Sequence, residues 1–538
     1  MGIIRTKTQG KLLKPVNETK LIIIISFFLL IFANFTFFSK VTEVYPFSGF
    51  NILFVGALAI VLFAVTTLIL TLFCSKYTTK PLLILFTFIS AFSAYFMYTY
   101  NVVIDSDMIQ NATQTNLNES ADLFSWQLVG FVLFLAVLPS IYIYKQPIVC
   151  HPLKKTIKHR LITSVASVAI IAITILSFGP YFASFFREHK PLRFYTNPTF
   201  PIYNAGKLVG QTLFPKNTTY TQKGLDAKIV KPNGAKRELV IMVVGESARG
   251  DHFSLNGYYK DTNPRLKNES NIVSFPTVES CGTSTAVSVP CMFSFLGQNG
   301  DNKDDANAED NVLDVLKRAG VSVLWRDNNS DSKGVATHVE YADYKTAKNN
   351  TICDEECRDK GMLVGLQQYI DSKKSGDILI VLHQMGNHGP AYYKRYPKEF
   401  EKFKPTCKTN QLEQCSKADI ANAYDNALLY TDSFLGDTID LLKKNNNFNT
   451  KMLYVSDHGE SLGEAGVYLH GMPKIIAPKA QTHVGMVVWG GDKGDIDRVA
   501  GIAKEDYTHF NLPHMLLGMF NVKSEVYNGA LDMLNKVK

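Results

Sequence analysis

Residues that could bind a metal ion follow four short apolar runs of the kind that form buried strands. Glu246 follows IMVVG, Asp327 lies just beyond VSVLW, His383 ends ILIVLH, and Asp457 and His458 follow MLYVS. Parallel strands bring their carboxyl ends to one edge of a sheet, so we expect these side chains to lie close together. Carboxylates and imidazoles are ligands for zinc. The pattern therefore predicts a zinc site in which Glu246, Asp457 and His458 leave a fourth position open.

The stretch CGTSTAVSVPC, residues 281–291, contains four hydroxyl side chains that could occupy this open position. A hydroxyl bound to zinc loses its proton readily and becomes a nucleophile, as zinc-bound water does. Serine and threonine are also common in helix caps and turns, and we expect Thr283, Ser284 and Ser288 to have such structural roles. Spacing alone does not select Thr285 as the nucleophile.

From residue 238 onward, short apolar runs alternate with helical patterns. The runs are apolar throughout, which is typical of strands in a sheet that is covered on both faces. The sequence therefore predicts an α/β domain over residues 238–538 with a mainly parallel central sheet. The predicted strands are Leu239–Val244, Val321–Trp325, Ile378–Leu382, Met452–Val455 and Val484–Trp489, and the predicted helices are Asn311–Arg318, Met362–Ile370, Ile420–Leu442 and Leu512–Phe520.

The first third of the chain contains apolar runs long enough to cross a membrane. Loops 75–80 and 145–160 are basic, whereas loop 100–123 has no Lys or Arg, and basic loops stay in the cytoplasm. We therefore predict a five-span membrane domain over residues 1–179, with a cytoplasmic N-terminus and loop 100–123 outside. Residues 180–237 would form an interfacial connector and linker to the α/β domain outside. The predicted spans lie near 21–39, 50–74, 81–99, 124–144 and 161–178.

The net charge of +8 is concentrated in the predicted cytoplasmic segments. These segments contain twelve Lys and Arg residues against Glu18 alone, a balance of +11 that leaves −3 for the remainder. The basic composition is thus explained by membrane topology, and we expect no nucleic-acid partner.

Six cysteines fall in the predicted outer domain as three close pairs, and none has the Cys-x-x-Cys spacing common in zinc sites. Six cysteines allow fifteen pairings, of which the short-range one needs the least rearrangement. We therefore predict three disulfides in an oxidising compartment, whereas Cys74 and Cys150 would stay reduced on the cytoplasmic side. The predicted pairs are Cys281/Cys291, Cys353/Cys357 and Cys407/Cys415.

Five long motifs carry a resemblance to a known family. The chain resembles the lipid A phosphoethanolamine transferases, which include the colistin-resistance transferases, and the similarity covers nearly the whole sequence. The motifs are VVGESARGDHFSLNGY, SCGTSTAVSVPCMFS, LWRDNNSDSKG, LHQMGNHGPAYYKRYP and YVSDHGESLGEAGVYLHGMP.

This resemblance implies an alkaline-phosphatase-like fold for the α/β domain and assigns roles to individual residues. Glu246, Asp457 and His458 match the zinc ligands of the family, and Thr285 matches its nucleophile and fourth ligand. The resemblance implies one tightly bound zinc ion and leaves open whether a second acts during turnover. Further matches are His388 and His470, near the transferred group or a second zinc; Ser330, Lys333 and Glu460, in the phosphoethanolamine pocket; His383, with a less definite role; and Asn111, Thr115 and Glu119, in headgroup-contacting positions.

The i, i+4, i+8 spacing of Asn111, Thr115 and Glu119 would place them on one face of a helix. A solvated polar helix in the loop 100–123 is the alternative that the same spacing allows.

The implied reaction is a double displacement between two lipids. Thr285 would take phosphoethanolamine from phosphatidylethanolamine and pass it to a phosphate of lipid A, with Lys333 steadying phosphoryl oxygens and His388 or His470 moving a proton. The product would carry less negative charge and attract polymyxins less strongly. We expect a monomer in the bacterial inner membrane, with the catalytic domain in the periplasm.

Three other classes of protein share part of this pattern. Sulfatases require a modifiable Cys or Ser in a Cys/Ser-x-Pro-x-Arg context, which Thr285 does not have. A phosphoglycerol or other headgroup transferase would share the zinc and the threonine. A binding or sensor protein without turnover would be favoured by a broken ligand set, and the set here is intact. Which lipid A phosphate is modified stays open.

Overall fold

The computed structural model describes residues 13–114, 123–149, 151–187, 189–213, 219–297, 303–410 and 412–535. The chain divides into two compact units, Met1–Ser106 with Ser125–Gly210, and Asp107–Phe124 with Gln211–Lys538. We call them the helical unit and the sheet unit. The described residues from Asp107 to Gln114, in the loop that the sequence places between the third and fourth spans, thus group with the sheet unit, and the predicted connector is divided near residue 210.

Helices make up the described part of the first 213 residues. Apart from α5, which belongs to the sheet unit, these helices lie mainly in the helical unit. They are α1 (Glu18–Phe32), α2 (Phe35–Val44), α3 (Asn51–Phe73), α4 (Thr79–Tyr100), α5 (Ser106–Gln114), α6 (Trp126–Lys145), α7 (Leu153–Ser177), α8 (Gly179–Arg187) and α9 (Thr199–Leu213).

Four of these helices, α3, α4, α6 and α7, are long and apolar enough to cross a membrane, and α1 with α2 makes a fifth only if this pair, bent by 55°, is one span. The break coincides with Asn34, whose Nδ2 donates to the carbonyls of Leu29 and Asn197 at 2.9 and 2.6 Å. Asparagine competes for backbone bonds and is unfavourable inside a helix. The predicted first span is therefore not one straight helix, and the count of five spans stays a prediction.

The sheet unit is built on a seven-stranded sheet, whose strands we number in chain order. The spatial order is β2-β7-β6-β1-β5-β3-β4. The four pairings that join β6, β1, β5, β3 and β4, in that spatial order, are parallel. The two pairings of β7, with β6 and with β2, are antiparallel. The sheet is therefore mainly parallel, as predicted, and it is mixed because the edge formed by β7 and β2 is antiparallel. The strands are β1 (Arg237–Gly245), β2 (Ile272–Phe275), β3 (Ser322–Asp327), β4 (Glu340–Asp343), β5 (Ile378–His383), β6 (Phe448–Ser456) and β7 (Met486–Gly490).

Both faces of the central strand β1 are buried over Leu239–Val244, as the uninterrupted apolar sequence of that segment predicts. Val240, Met242 and Val244 join one core with the helices on that face, and the alternating residues point to the opposite face. The remaining helices are α10 (Pro264–Lys267), α11 (Thr285–Phe293), α12 (Lys303–Ala306), α13 (Val312–Arg318), α14 (Leu366–Ser372), α15 (Lys417–Lys443), α16 (Lys479–Thr482), α17 (Lys493–Ile502) and α18 (Leu512–Met519). The predicted helix Met362–Ile370 is instead a 3-10 turn and α14, separated at Gly365, which has a φ of 76°.

Three disulfides join the cysteine pairs that the sequence predicts, Cys281–Cys291, Cys353–Cys357 and Cys407–Cys415. Cys74 is a buried free thiol. Cys150 lies outside the described residues.

Candidate active site

The carboxyl ends of four neighbouring strands bring the predicted metal-binding residues to one edge of the sheet. Val244 of β1 pairs with His383 of β5, and Gly245 pairs with Ser456 of β6. Because these pairings are parallel and in register, Glu246 and Asp457 leave their strands side by side. The convergence predicted from the sequence is confirmed.

Four side chains meet at this edge around the Nε2 atom of His458. This nitrogen lies 3.3 Å from Oε1 of Glu246, 3.5 Å from Oδ2 of Asp457 and 3.4 Å from the hydroxyl of Thr285. The Thr285 hydroxyl also donates to Oε2 of Glu246 at 3.0 Å. All four residues are buried, so the group forms a compact donor set of two carboxylates, one imidazole and one hydroxyl.

This donor set fits a zinc ion. Oδ2 of Asp457 is buried without a hydrogen-bond partner, although buried polar atoms normally have one. Burial and the neighbouring Glu246 carboxylate raise the pKa of Asp457 to about 6. A divalent cation between the carboxylates would remove this like-charge repulsion and supply the missing partner of Asp457.

Tertiary structure selects one hydroxyl from CGTSTAVSVPC. Thr283 donates to the carbonyl of Met472 at 2.6 Å, and Ser288 accepts from the amide of Gly282 at 3.1 Å. Ser284 is the N-cap residue of α11, with extended backbone. Thr285, the first residue of α11, is the member of this group whose hydroxyl contacts Glu246 and His458. Ser284 thus has the predicted cap position but makes no side-chain capping bond, whereas Thr283 and Ser288 bond to Met472 and Gly282 rather than serving as caps.

The helix that begins at Thr285 is short. Pro290 lies inside α11, which ends three residues later at Phe293, in agreement with the limit that an internal proline places on a helix. The disulfide Cys281–Cys291 closes the segment from the loop to the helix around Thr285, and both cysteines are buried.

We expect replacement of Cys281 and Cys291 by Ala to lower both stability and activity. Loss of a native disulfide costs about 2–5 kcal/mol in small domains, and here the freed segment carries Thr285. The double variant Cys407→Ala/Cys415→Ala is the matched control, because it removes a disulfide from a different segment. Melting temperature and activity per folded protein would test this; unchanged activity and protein level in the Cys281/Cys291 variant would contradict it.

Asn329 and Ser247 orient Glu246, although sequence reasoning assigned them no role. Nδ2 of Asn329 donates to Oε2 of Glu246 and to the carbonyl of Gln384, both at 2.8 Å, and the Ser247 hydroxyl donates to Oε1 at 2.7 Å. The backbone of Ser247 is left-handed, with a φ of 56°, which a residue without a structural reason rarely adopts. The motifs RDNNS and GES contained both residues, but only the folded chain shows their partners.

The site continues on one side of His458 with two further histidines and a carboxylate, His470, His388 and Glu460. Nδ1 of His470 lies 3.0 Å from Oε2 of buried Glu460. The ring centroid of His470 is 4.3 Å from that of His458 and 5.5 Å from that of His388. Ligand atoms of Glu246, His458 and His470 lie within 4.8 Å of one another. His388 has a buried Nδ1 atom without a hydrogen-bond partner, so it has a ring nitrogen available for substrate or a second ion.

Lys333 and Ser330 contact each other in the loop after β3. Nζ of Lys333 donates to the carbonyl of Ser330 at 3.0 Å and lies 3.8 Å from the Asp331 carboxylate. The Lys333 side chain is 6% exposed. Asn329, which immediately precedes Ser330, donates to Glu246. This bond attaches the loop that carries Ser330 and Lys333 to the candidate metal-binding edge.

His383, the last residue of β5, pairs with a carboxylate other than Glu246 and Asp457. Its Nδ1 atom is 2.9 Å from Oδ2 of Asp327, and its Nε2 atom is buried without a hydrogen-bond partner. Burial opposes charge on this imidazole, but the carboxylates of Asp327, Asp457 and Glu246 outweigh burial and raise the pKa of His383.

Of the three residues predicted to face a lipid headgroup, only Asn111 is among the described residues. It lies on α5 and is half-buried. Thr115 and Glu119 lie outside the described residues, so the predicted common helix face stays a prediction. Another residue of α5, Met108, lies against Gly471, where an added Cβ would come within 2.9 Å of its Cε atom. The helix α5 therefore packs next to the segment that carries His470.

Comparisons with known proteins match both units. A model of the family described as phosphoethanolamine transferase EptA/EptB matches residues 62–213, and a sulfatase model matches residues 238–522. The chain is 46% identical to phosphatidylethanolamine transferase Mcr-1 of Escherichia coli, over 95% of this chain and 96% of that protein. The chain belongs to the phosphoethanolamine transferase family. It is also 36% identical to phosphoethanolamine transferase EptA of E. coli K12, over 95% of this chain and 96% of EptA.

The solved structures agree with this family. The integral membrane protein lipooligosaccharide phosphoethanolamine transferase A (EptA) from Neisseria meningitidis superimposes with a TM-score of 0.93 at 33% identity, covering 98% of this transferase and all of that chain. The transferase therefore has the EptA-like arrangement of an N-terminal membrane domain and a soluble domain with an alkaline-phosphatase-like mixed sheet.

His509 of this transferase connects the segment that carries Thr285 to β6, the strand that Asp457 follows. Its Nδ1 atom accepts from the amide of Cys281 at 3.2 Å, and Nε2 therefore donates to the carbonyl of Ser456 at 3.0 Å. Burial lowers the pKa of His509 to about 3, so the imidazole is neutral near pH 7 and can make both bonds. Nothing in the sequence near His509 indicated this role.

We expect His509→Leu to reduce activity as well as stability, because Cys281 and Ser456 would lose their buried partner. Each unsatisfied buried group costs about 1–3 kcal/mol. The control is His514→Leu, since buried His514 makes its bond to Asn528, away from the nucleophile. Activity per folded protein, measured well below both melting temperatures, should fall only in His509→Leu. Equal activities in the two variants would contradict the role of His509.

The same substitution has an expected pH signature. The pKa of His509 is about 3 in the folded protein and about 6.5 in an unfolded chain. The unfolded state therefore binds more protons between these values, and stability is lost as pH falls through this window. Melting temperatures between pH 7 and pH 4 should fall less steeply for His509→Leu than for the wild type.

Proposed function

We propose that this transferase moves phosphoethanolamine from phosphatidylethanolamine to a phosphate group of lipid A through a phosphoethanolamine–threonine intermediate on Thr285. The observation that carries the proposal is the Thr285 hydroxyl, which lies 3.0 Å from Glu246 and 3.4 Å from His458 at the start of a buried helix. Family membership and the names of the relatives support the transferred group and the lipid acceptor.

One zinc ion is the proposed cofactor. Glu246, Asp457, His458 and Thr285 would hold it, and it would lower the pKa of the Thr285 hydroxyl as it lowers that of bound water. His470 and His388 are close enough to the donor set to take part in binding a second ion, and the need for one is open.

The chain's own residues supply the rest of the mechanism. Thr285 Oγ1 forms a bond to the donor phosphorus while the bond from phosphorus to the diacylglycerol oxygen breaks, and that oxygen takes up a proton. A phosphate oxygen of lipid A then attacks the same phosphorus, and Thr285 leaves. His470, oriented by Glu460, and His388 are the candidates to move these protons.

Binding and orientation fall to a second group of residues. Lys333 supplies positive charge for the phosphoryl oxygens, as phosphoryl transfer requires. Ser330 and Glu460 line the proposed phosphoethanolamine pocket, and the acidic Glu460 suits the ammonium of the transferred group. Asn111, Thr115 and Glu119 are proposed to contact the headgroup from the loop between the third and fourth spans.

The proposed setting is the bacterial inner membrane. We propose a monomer with five spans in residues 1–179, a cytoplasmic N-terminus, a connector over 180–237 and a periplasmic catalytic domain over 238–538. The three disulfides fit an oxidising compartment. Masking an anionic lipid A phosphate with a cationic amine reduces the attraction of cationic peptides, so we expect resistance to polymyxins, including colistin.

The test is the intact mass of lipid A from a polymyxin-sensitive bacterium expressing the wild type or Thr285→Ala. Added phosphoethanolamine is expected with the wild type only, accompanied by a rise in polymyxin tolerance. Lipid A that is unmodified in both strains would overturn the proposed acceptor or headgroup. In that case, the mass added to membrane glycans or other lipids would show whether a phosphoglycerol transferase is the better description.

A further inference from the structure

Ile475 is an isolated apolar side chain on the surface of the sheet unit, close to the active site. It is 87% exposed, the highest exposed fraction among the large apolar side chains of the described residues. It lies in the segment Met472–Lys479, which we call the 472–479 loop. Single exposed apolar side chains are common on protein surfaces, so the features that distinguish Ile475 are its high exposed fraction and the cations beside it.

The charged side chains on the 472–479 loop are both cations, and one of them lies beside a carboxylate from outside the loop. Lys474 and Lys479 lie on the same loop and are both exposed, and the sequence has no acidic residue between Glu464 and Asp492. Lys474 also lies 3.3 Å from Glu279, whose side chain is itself exposed. The loop therefore presents an apolar tip flanked by two cations, a combination that suits the boundary between anionic headgroups and acyl chains.

The 472–479 loop is fixed to the segment that carries the nucleophile. The amide of Gly471 donates to the carbonyl of Thr283 at 2.8 Å, and the Thr283 hydroxyl donates to the carbonyl of Met472 at 2.6 Å. The amide of Met472 also donates to Oε1 of Gln481 at 3.2 Å, beyond the other end of the loop. Thr285 follows two residues after Thr283, so the base of the loop is bonded to the segment that carries the Thr285 hydroxyl.

Chain connectivity favours a lipid as the occupant. Gly471 contacts Met108 of α5, and α5 begins six residues after Tyr100, the last residue of a helix long and apolar enough to cross a membrane. A short stretch of chain therefore connects a candidate membrane span to α5, the helix that packs against Gly471 next to the 472–479 loop. Prolines at both ends, Pro473 and Pro478, restrict the loop and keep Ile475 exposed.

We propose that the 472–479 loop is a membrane-contact element, in which Ile475 inserts at the headgroup–acyl boundary while Lys474 and Lys479 bind anionic headgroups. The proposal goes beyond the transfer reaction, because it does not depend on which group Thr285 carries. Its consequence for the reaction is that an anionic lipid acceptor meets the protein next to the nucleophile.

The experiment uses the full chain in nanodiscs, with the photoreactive residue p-benzoylphenylalanine at one of three positions of matched exposure. The positions are Ile475, Tyr259 of the sheet unit and Leu176 of α7, the last two both 81% exposed. After irradiation, mass spectrometry measures lipid adducts. We expect lipid adducts at Leu176, which lies in a candidate membrane span, and at Ile475. The adduct yield at Ile475 should be on the order of tenfold above that at Tyr259, because an apolar anchor and two cations would hold the loop at the lipid surface.

Lipid composition tests the charged part of the proposal. The yield at Ile475 should be higher in an equal mixture of phosphatidylcholine and phosphatidylglycerol than in phosphatidylcholine alone, and Lys474→Gln/Lys479→Gln should remove this difference. Equal yields at Ile475 and Tyr259, with strong adducts at Leu176, would overturn the proposal. A protein adduct in place of a lipid adduct at Ile475 would also overturn it.

The outcome is separable from the proposed transfer activity. The same labelling in a Thr285→Ala background should give the same lipid adducts at Ile475, because contact requires no turnover. Adducts with no transfer in the wild type would leave the membrane contact standing and overturn only the proposed function.

Discussion

Thr285→Ala should eliminate transfer and leave the protein folded. The Thr285 hydroxyl is the atom in reach of Glu246 and His458, and a nucleophile that forms a covalent intermediate has no substitute once it is removed. Loss of such a group in other covalent enzymes lowers kcat by about 10⁴–10⁶-fold. The direct measurement is the mass of the peptide containing residue 285 after incubation with phosphatidylethanolamine, which should gain phosphoethanolamine in the wild type only.

Two further variants make this prediction specific. Thr285→Ser keeps the hydroxyl and should retain a detectable adduct and partial activity. Ser288→Ala removes a hydroxyl that bonds to Gly282, so it should reduce stability but still form the adduct on Thr285. An adduct in Thr285→Ala, or on another hydroxyl of CGTSTAVSVPC in the wild type, would refute the assignment.

Asp457→Asn should release zinc and abolish activity. The substitution replaces an anionic ligand by a neutral amide at the position whose Oδ2 atom lacks a hydrogen-bond partner. The apo protein should be no less stable than the apo wild type, because the substitution removes the burial of a charge and the repulsion from Glu246, which together raise the pKa of Asp457. Zinc per chain by elemental analysis, and melting temperature with and without a chelator, would measure both effects.

The control lies in a second group of potential ligands, Asp310, Asp314 and His338. Asp310 is bonded to Tyr220 and Arg318 instead, and a neighbouring guanidinium disfavours a bound cation. We therefore expect Asp310→Asn to keep its zinc and its chelator-dependent melting temperature. Loss of zinc in Asp310→Asn with retention in Asp457→Asn would move the metal site to the second group.

The sequence by itself determined five of the seven strands and the residues at their ends, whereas the short strands β2 and β4 were not predicted. The inner segments of three strands, Leu239–Val244 of β1, Ile378–Leu382 of β5 and Met452–Val455 of β6, are apolar without interruption, so their burial follows from composition. Once such strands are parallel, Glu246 and Asp457 have to meet at one edge of the sheet. The three disulfide pairings were also predictable from the sequence, because only a few residues separate the two cysteines of each pair. These features depend on local sequence and on one general rule of sheet geometry.

The tertiary structure alone decided which polar groups face one another. Four hydroxyls in CGTSTAVSVPC are equivalent in sequence, and only the packing of α11 directs Thr285 to Glu246. The antiparallel strand β7, the break at Asn34 and the role of His509 likewise depend on partners far away in the chain. Buried polar groups must each find a partner, and a side chain's own sequence neighbourhood does not specify a partner more than a hundred residues away.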